Sequence, residues 1–228
     1  TNFHEPHIGR AAVEVLERLG YRVGLFSAGC CGRPAISSGD LASVRAKAGT
    51  LIASLAEAAT DSLVIVLEPS CLSTLRDDYP DLLDDEAACR EVTDRCLSLE
   101  EFLAQPDVQA RVEGRISDGP GEVMYHGHCQ QKSLIGVEPS ARMFDLMKAS
   151  RLKILDAGCC GMAGAFGYEK EHYDLSMKIG EEVLFPAIRA KEDDWEVAVM
   201  GVSCRQQVEH GSNRRPRHLI EVLRDAVL

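Results

Sequence analysis

One phrase is written twice in this chain. Ala28-Gly29-Cys30-Cys31-Gly32 recurs as Ala157-Gly158-Cys159-Cys160-Gly161, each directly after a strand-like run. Each copy is followed, after a long interval, by a second strand ending in Ser-Cys: Leu67-Glu68-Pro69-Ser70-Cys71, then Met200-Gly201-Val202-Ser203-Cys204. Vicinal thiols and a distant third, twice in the same order, are the means to hold a metal centre between loops, because an α/β sheet presents its ligands in the crevice at its strand ends.

The second copy is the richer. Cys129, Cys159, Cys160 and Cys204 supply four thiolates, which satisfy either a tetrahedral zinc ion or an iron-sulfur cluster. The alternative is buried structural thiols, since free cysteine is among the most buried residue types. The spacing is neither a zinc-ribbon pair of Cys-x-x-Cys knuckles nor a ferredoxin run. Cys30, Cys31 and Cys71 are one ligand short of a closed site: they bind with a non-cysteine ligand, join the other set across a pseudo-twofold, or simply pack. His126 and His128 flank Gly127 immediately before Cys129, as metal ligands or as hydrogen-bond partners of the backbone or a cluster sulfur. Cys89 and Cys96 fall on one face of a predicted helix and read as core. His4, His7, His172, His210 and His218 read as surface or core residues.

Gly161-Met162-Ala163-Gly164-Ala165-Phe166-Gly167 is glycine-rich but lacks the order of a dinucleotide or phosphate loop. Its glycines suit a backbone that turns sharply beside a bulky centre, offering N–H groups to sulfur. No nucleophile elbow, His-Glu-x-x-His helix or calcium loop is present. The carboxylates, scattered on helical faces, read as solvation.

These loops need elements to position them. Ile8, Ala11, Ala12, Val15 and Leu16 recur at helical spacing before Gly20, and a strand is predicted over Tyr21–Ser27. A helix runs from Ser38-Gly39-Asp40 to about Ala59, a buried parallel strand covers Ser62–Leu67, and helical pieces broken near Pro80 fill Leu72 to Gln105. Gly114 to Gly121 looks like a linker. Then come strand Glu122–Tyr125, helix Ser140–Ser150, strand Leu152–Leu155, helix Glu169–Ala190, strand Trp195–Met200 and a closing helix from His218. Strands alternating with amphipathic helices predict an α/β fold: two tandem pseudo-symmetric units, residues 1–118 and 119–228, each a small, mostly parallel sheet flanked by helices. Setting Ile8-Gly9 against Ile135-Gly136 places Asn2 opposite Cys129, so the first unit lacks a thiol that the second has.

The chain has 228 residues, 45% of them hydrophobic, which suffices for a substantial core. With 25 Lys+Arg against 36 Asp+Glu its formal charge is -11, which repels nucleic acid and anionic lipid. No apolar run reaches the length of a membrane span, and no signal peptide is visible. Nine cysteines in such a chain favour metal ligation over disulfides and a cytoplasmic location. The opening Thr1-Asn2-Phe3-His4, with neither initiator Met nor a preceding strand, reads as a segment of a longer polypeptide.

The doubled Cys-Cys-Gly with its distant cysteine, and His126-Gly127-His128-Cys129-Gln130-Gln131-Lys132 opening the second unit, resemble the cysteine-rich CCG domain family. That family takes in a subunit of heterodisulfide reductase and the iron-sulfur subunits of glycolate, lactate and glycerol-3-phosphate oxidising enzymes. Glu68-Pro69-Ser70-Cys71-Leu72, Gly201-Val202-Ser203-Cys204-Arg205-Gln206-Gln207 and His218-Leu219-Ile220-Glu221-Val222-Leu223 are most similar to the C-terminal part of fused FAD- and iron-sulfur-containing D-2-hydroxy acid dehydrogenases of the D-lactate or D-2-hydroxyglutarate type. The resemblance implies an iron-sulfur cluster, or zinc as in some CCG halves, held by the cysteines above. It also implies electron transfer beside FAD bound elsewhere, and flavin-binding and ferredoxin-like domains as partners. No flavin or nicotinamide fingerprint is visible in this chain. The fullest family motif ends in Cys-x-x-Cys, whereas Leu72-Ser73-Thr74 follow Cys71 and Arg205-Gln206-Gln207 follow Cys204. A five-cysteine noncubane cluster does not carry over unchanged. The expectation is a redox accessory module, with a structural scaffold and a thiol-exchange enzyme as its rivals.

Overall fold

The computed structural model describes residues 4–27, 29–58, 61–147, 151–191 and 194–228. Thr1, Asn2, Phe3, Ala28, Ala59 and Ser150, on which parts of the sequence reading rest, lie outside the described residues. The fold is α/β, with two small parallel sheets flanked by helices. In the first, β1 (Val64–Val66) pairs with β2 (Cys96–Ser98). In the second, β3 (Glu122–His126) lies between β4 (Arg151–Ile154) and β5 (Glu196–Val199). Sandwiched in this way, β3 is buried from Val123 to His126.

The helices form where the apolar spacing places them. Helix Pro6–Arg18 starts on a proline, whose missing N–H costs nothing in a first turn. It buries Ile8, Ala11, Ala12, Val15 and Leu16 along one stripe. That stripe packs on helix Leu219–Ala226 at the other end of the chain. Together with Leu99, Leu103, Val123, Tyr125 and Met200 they make a core fed by both halves. Full burial of one such Leu contributes about 1.5–3 kcal/mol, so this shared cluster binds the halves together. The 114–121 stretch is fastened too: Ser117 N–H donates to Ala226 O at 2.8 Å and Leu228 N–H to Arg115 O at 3.0 Å.

Three elements differ from the sequence reading. Tyr21–Ser27 forms no strand. Leu25 is 88% exposed, and the stretch has no ladder partner among the described residues, without which an isolated strand does not hold. Cys96 lies on β2 and not on a helix with Cys89, although both thiols are buried in one cluster as expected. The helix expected over Glu169–Ala190 is broken into short turns, then Tyr173–Glu182, then Leu184–Arg189. Pro186 removes an N–H at the second break, and the Phe185 ring there fills space against Gly180 and Gly211 that a side chain would occupy.

One device appears in both halves. Ser98, at the end of β2, caps helix Leu99–Leu103 with Glu101 closing a capping box. His218, beside the Arg217 bridge to β5, caps Leu219–Ala226 with Glu221 in the same role. The residue after Leu99 in this turn is Glu100, 1% exposed. Its carboxylate oxygens have no hydrogen-bond partner among the described residues, and a small apolar cavity beside it is lined by Leu67, Leu72, Gln131 and Met200. Burial raises its pKa from 4.5 to about 7, with the neighbouring Glu101 charge adding to the rise. The folded state keeps a proton that the unfolded state releases, so the stability this gives at acid pH is lost as pH climbs through about 7. Wild-type thermal stability should therefore fall between about pH 4.5 and about pH 7, by a few kcal/mol attributable to this group, and level off above. Glu100→Gln should flatten that slope in calorimetric scans across the range; an unchanged slope would place the titrating group elsewhere.

Candidate metal centre

Because β3, β4 and β5 are parallel, their C-terminal ends lie at one edge, and each runs into a cysteine-bearing loop. From β3 the chain passes through Gly127 to His128, whose Nδ1 accepts from Gln130 N–H at 3.1 Å and starts helix Cys129–Leu134. Lys132 on that helix donates to the carbonyl of Ala157 and, at 2.9 Å, to that of Gly158. This clamps the loop after β4 onto the helix carrying Cys129. Gly161 has φ +101°, and a Cβ there would overlap the Ser176 carbonyl oxygen. The turn it permits lets its N–H donate to Cys159 Sγ at 3.3 Å. From β5 the chain enters helix Val202–Ser212, which carries Cys204. Gly201 before it leaves room for the His128 ring.

The four sulfurs lie near enough to shift one another's ionisation, Cys159 with Cys129 and with Cys160, and Cys160 with Cys204. Cys160 and Cys204 are buried, whereas Cys129 and Cys159 are partly exposed. Hydrogen bonds from Cys129 and Cys160, then the amides of Gly161 and Ala163, hold Cys159 far below the usual thiol range. Its donors Cys129 and Cys160 are pushed correspondingly up. The loop thus favours thiolate at Cys159, the form that binds a metal.

Both predicted histidines are at this edge. His126 is fully buried with no hydrogen-bond partner for either ring nitrogen among the described residues. Burial, then the charge of Lys132, lowers its pKa to about 3 and keeps it neutral. His128 is buried and used as a cap. Among the described residues no three His, Cys, Asp or Glu side chains surround one point as ligands of a single ion. The donor set is nevertheless soft and sulfur-rich, with an orphaned imidazole beside it. That chemistry fits a thiophilic centre, zinc or iron-sulfur.

The first half repeats the arrangement in reduced form. Gly32 N–H reaches Cys30 Sγ at 3.4 Å, as Gly161 reaches Cys159, and Cys31 Sγ lies 3.1 Å from Cys71 Sγ, the counterpart of the Cys160–Cys204 contact. The hydrogen bond from Cys71 lowers the Cys31 pKa to about 6, and Cys71 is driven up in return. Asn2, which the sequence sets opposite Cys129, lies outside the described residues.

The sequence reading missed what joins the two edges. Glu68 accepts from Val202 N–H at 3.0 Å and from Ser70 Oγ at 3.0 Å. His218 accepts from Ile220 N–H through Nδ1 and so donates through Nε2 to Leu67 O at 3.2 Å. Arg205 is ion-paired with Glu5 while donating to Val199 O at 3.0 Å. The only signal for these was position, Glu68 and Gly201 each preceding a Ser-Cys.

Residues 1–76, which include Cys30, Cys31 and Cys71, match the family described as CCG, cysteine-rich domain. Over 235 residues the chain is 30% identical to one of the subunits of the anaerobic glycerol-3-phosphate dehydrogenase of Escherichia coli (strain K12), an alignment that takes in 99% of this chain. The chain belongs to the cysteine-rich CCG domain family. This CCG chain spans 57% of the length of that dehydrogenase subunit. It is 28% identical to lactate utilization protein A of Bacillus velezensis, covering 96% of the chain and 93% of that protein. It is also 28% identical to D-2-hydroxyglutarate dehydrogenase of Pseudomonas putida, covering 98% of the chain but 21% of that protein.

Two outcomes follow from the CCG loops. Gly161→Ala should lower the denaturant midpoint by the equivalent of about 2 kcal/mol or more, through steric overlap and positive φ. Gly158→Ala, with nothing near its added methyl, should leave it close to wild type; equal effects would contradict the loop geometry. In metal-free protein Cys71→Ala should move the Cys31 thiolate transition, followed by ultraviolet absorbance, upward from about 6 towards the ordinary thiol range. An unmoved transition would assign the low value to another cause.

Proposed function

We propose that this CCG chain is the metal-carrying redox module of an FAD-linked D-2-hydroxy acid dehydrogenase, holding an iron-sulfur centre of [4Fe–4S] type in its second half. Cys129, Cys159, Cys160 and Cys204 are the ligands, with His126 as a further ligand or as a hydrogen-bond partner of a sulfur, and His128 positioning the Cys129 helix. The observation that supports this is the convergence of Cys129, the Cys159–Cys160 pair and Cys204 at the edge where β3, β4 and β5 end. Bound there, such a centre supplies one-electron transfer. The residues of the chain contribute the rest: amides of Gly161 and Ala163 stabilise negative sulfur, Lys132 fixes the loop, and the buried apolar cluster around Met124, Val197 and Leu184 limits water.

In this reading a flavin domain oxidises the hydroxy acid to the 2-oxo acid, and the module passes electrons onward to an acceptor. Flavin-binding and ferredoxin-like domains of the same polypeptide or complex are its partners, in the cytoplasm. The relatives named as dehydrogenase proteins support a redox setting. Among the described residues no helix is long and apolar enough to cross a membrane. Cys30, Cys31 and Cys71 are a second, incomplete ligand set.

The test is iron, zinc and acid-labile sulfide content with visible absorption on protein purified without air, for wild type, Cys159→Ser and Cys204→Ser. Iron and sulfide with brown absorption, lost in either variant, is the expected result. Zinc without sulfide would replace the redox role by a structural one, and no metal in the anaerobic wild type would overturn the centre.

A further inference from the structure

Cys31 and Cys71 lie 40 residues apart in the chain, and their sulfurs stand 3.1 Å from each other. A disulfide needs about 2.05 Å, so the two are roughly 1 Å of approach from a covalent bond. The segments that carry them are fastened together on both sides of the contact. Cys31 lies between Gly29 and Gly32, both at positive φ, and the Tyr79 hydroxyl donates to its carbonyl at 2.8 Å. Arg33 donates to Thr74 Oγ1 at 2.9 Å and is ion-paired with Asp78. Thr74 donates in turn to Ser70 O at 2.9 Å, across the turn of helix that holds Cys71. Cys31 is buried and Cys71 partly so, and neither thiol stands free in solvent.

The third thiol of this half does not compete for the bond. Cys30 and Cys31 are neighbours in sequence, and the about 3.8 Å between successive Cα atoms is shorter than the roughly 4.4–6.8 Å that a disulfide spans. Cys30 is exposed, with Gly32 N–H donating to its sulfur at 3.4 Å. The sequence sets Asn2 opposite Cys129, so the first half has three thiols to the four of the second. A set one ligand short leaves its closest pair available for sulfur chemistry. In a reducing compartment, the one proposed above, a disulfide is a transient state and not a staple.

We infer that Cys31 and Cys71 are a reversible dithiol–disulfide couple, oxidised by a low-molecular-weight disulfide, RSSR, and separate from the centre proposed for the second half. One thiolate of the pair opens the S–S bond of RSSR, forming a mixed disulfide and releasing RS−. The other thiolate attacks the protein sulfur of that mixed disulfide, closing the Cys31–Cys71 bond and releasing the second RS−. The two thiol protons end on the two RS−, and the two electrons with them, so that one RSSR becomes two RSH. Excess RSH runs the same steps backwards.

Thiol mapping of the whole chain, equilibrated without air in glutathione buffers, tests this. After an acid quench, alkylation under denaturing conditions and proteolysis, mass spectrometry reads the peptides linked through Cys71. In Cys30→Ala, where Cys31 is the one thiol left in its loop, the linked peptide should form. At fixed glutathione the ratio of linked to open pair should rise about tenfold for each tenfold increase of glutathione disulfide. It should fall about a hundredfold for each tenfold increase of glutathione, because two thiols are released per bond. Dithiothreitol should return both cysteines to the open form. No linked peptide in Cys30→Ala at any ratio overturns the inference, as does a glutathione adduct that stays on either cysteine in its place. So does metal held by these thiols, read as iron or zinc that Cys71→Ala removes and Cys159→Ser retains. The linkage is read on its own peptides, so it stands or falls apart from the centre of the second half.

Discussion

The position of β3 between two parallel neighbours is the constraint on which the rest of this molecule depends. Parallel pairing forces β3, β4 and β5 to end on the same side, and a cysteine follows each strand end within a few residues. Cys129, the Cys159–Cys160 pair and Cys204 come from distant parts of the sequence, and no local turn brings them together. The sheet does, and it can because the residues of β3 are apolar enough to be buried on both faces. Tyr125 shows the cost of that burial being met: its hydroxyl donates to Gln131 at 2.7 Å and accepts from Ser140 at 3.0 Å, so no polar group is stranded. His126, one residue on, is the exception, and it lies where the thiols begin.

Electrostatics then explains why the loops are built as they are. A lone buried thiolate is unfavourable, and four thiols close together cannot all ionise without a cation. The loops answer this by favouring negative charge on Cys159, which has backbone amides to receive it, and disfavouring it on Cys129 and Cys160. Glycine at 161 is needed for that arrangement, because only a residue without Cβ can bring its N–H to the sulfur while passing the Ser176 carbonyl. The neutral state of His126 follows from the same logic, since burial and the nearby charge of Lys132 both disfavour a charged imidazole.

The doubled cysteine phrase and the alternation of strand and helix made the fold class, the placement of thiols at strand ends and the two buried cysteines of the core legible from the sequence. What was not legible depended on partners. Tyr21–Ser27 has the composition of a strand, but composition cannot say whether a neighbour is present, and a ladder needs two edges. β2 is only Cys96–Ser98, too short for a periodic signal, and lies in a stretch read from sequence as helical pieces. Lys132, Glu68 and Arg205 act through backbone carbonyls, amides and ion pairs that only the folded chain brings near, so nothing in their local sequence distinguished them from solvated charges.

The two halves are thus the same device at different degrees of completion, and the difference has a physical origin. In the second half the thiols meet on a sheet whose central strand is buried, so the loops have a rigid base. In the first, Cys31 and Cys71 still meet at 3.1 Å because helix Pro69–Ser73 follows β1 directly and Tyr79 holds the Cys31 carbonyl at 2.8 Å. Cys30, at the end of the unpaired stretch, is left exposed. The contacts through Glu68, His218 and the shared core run from the incomplete half to the complete one. The Ser-Cys turn of the first half is therefore held by the second, and its thiol pair keeps its geometry even where its own sheet does not supply it.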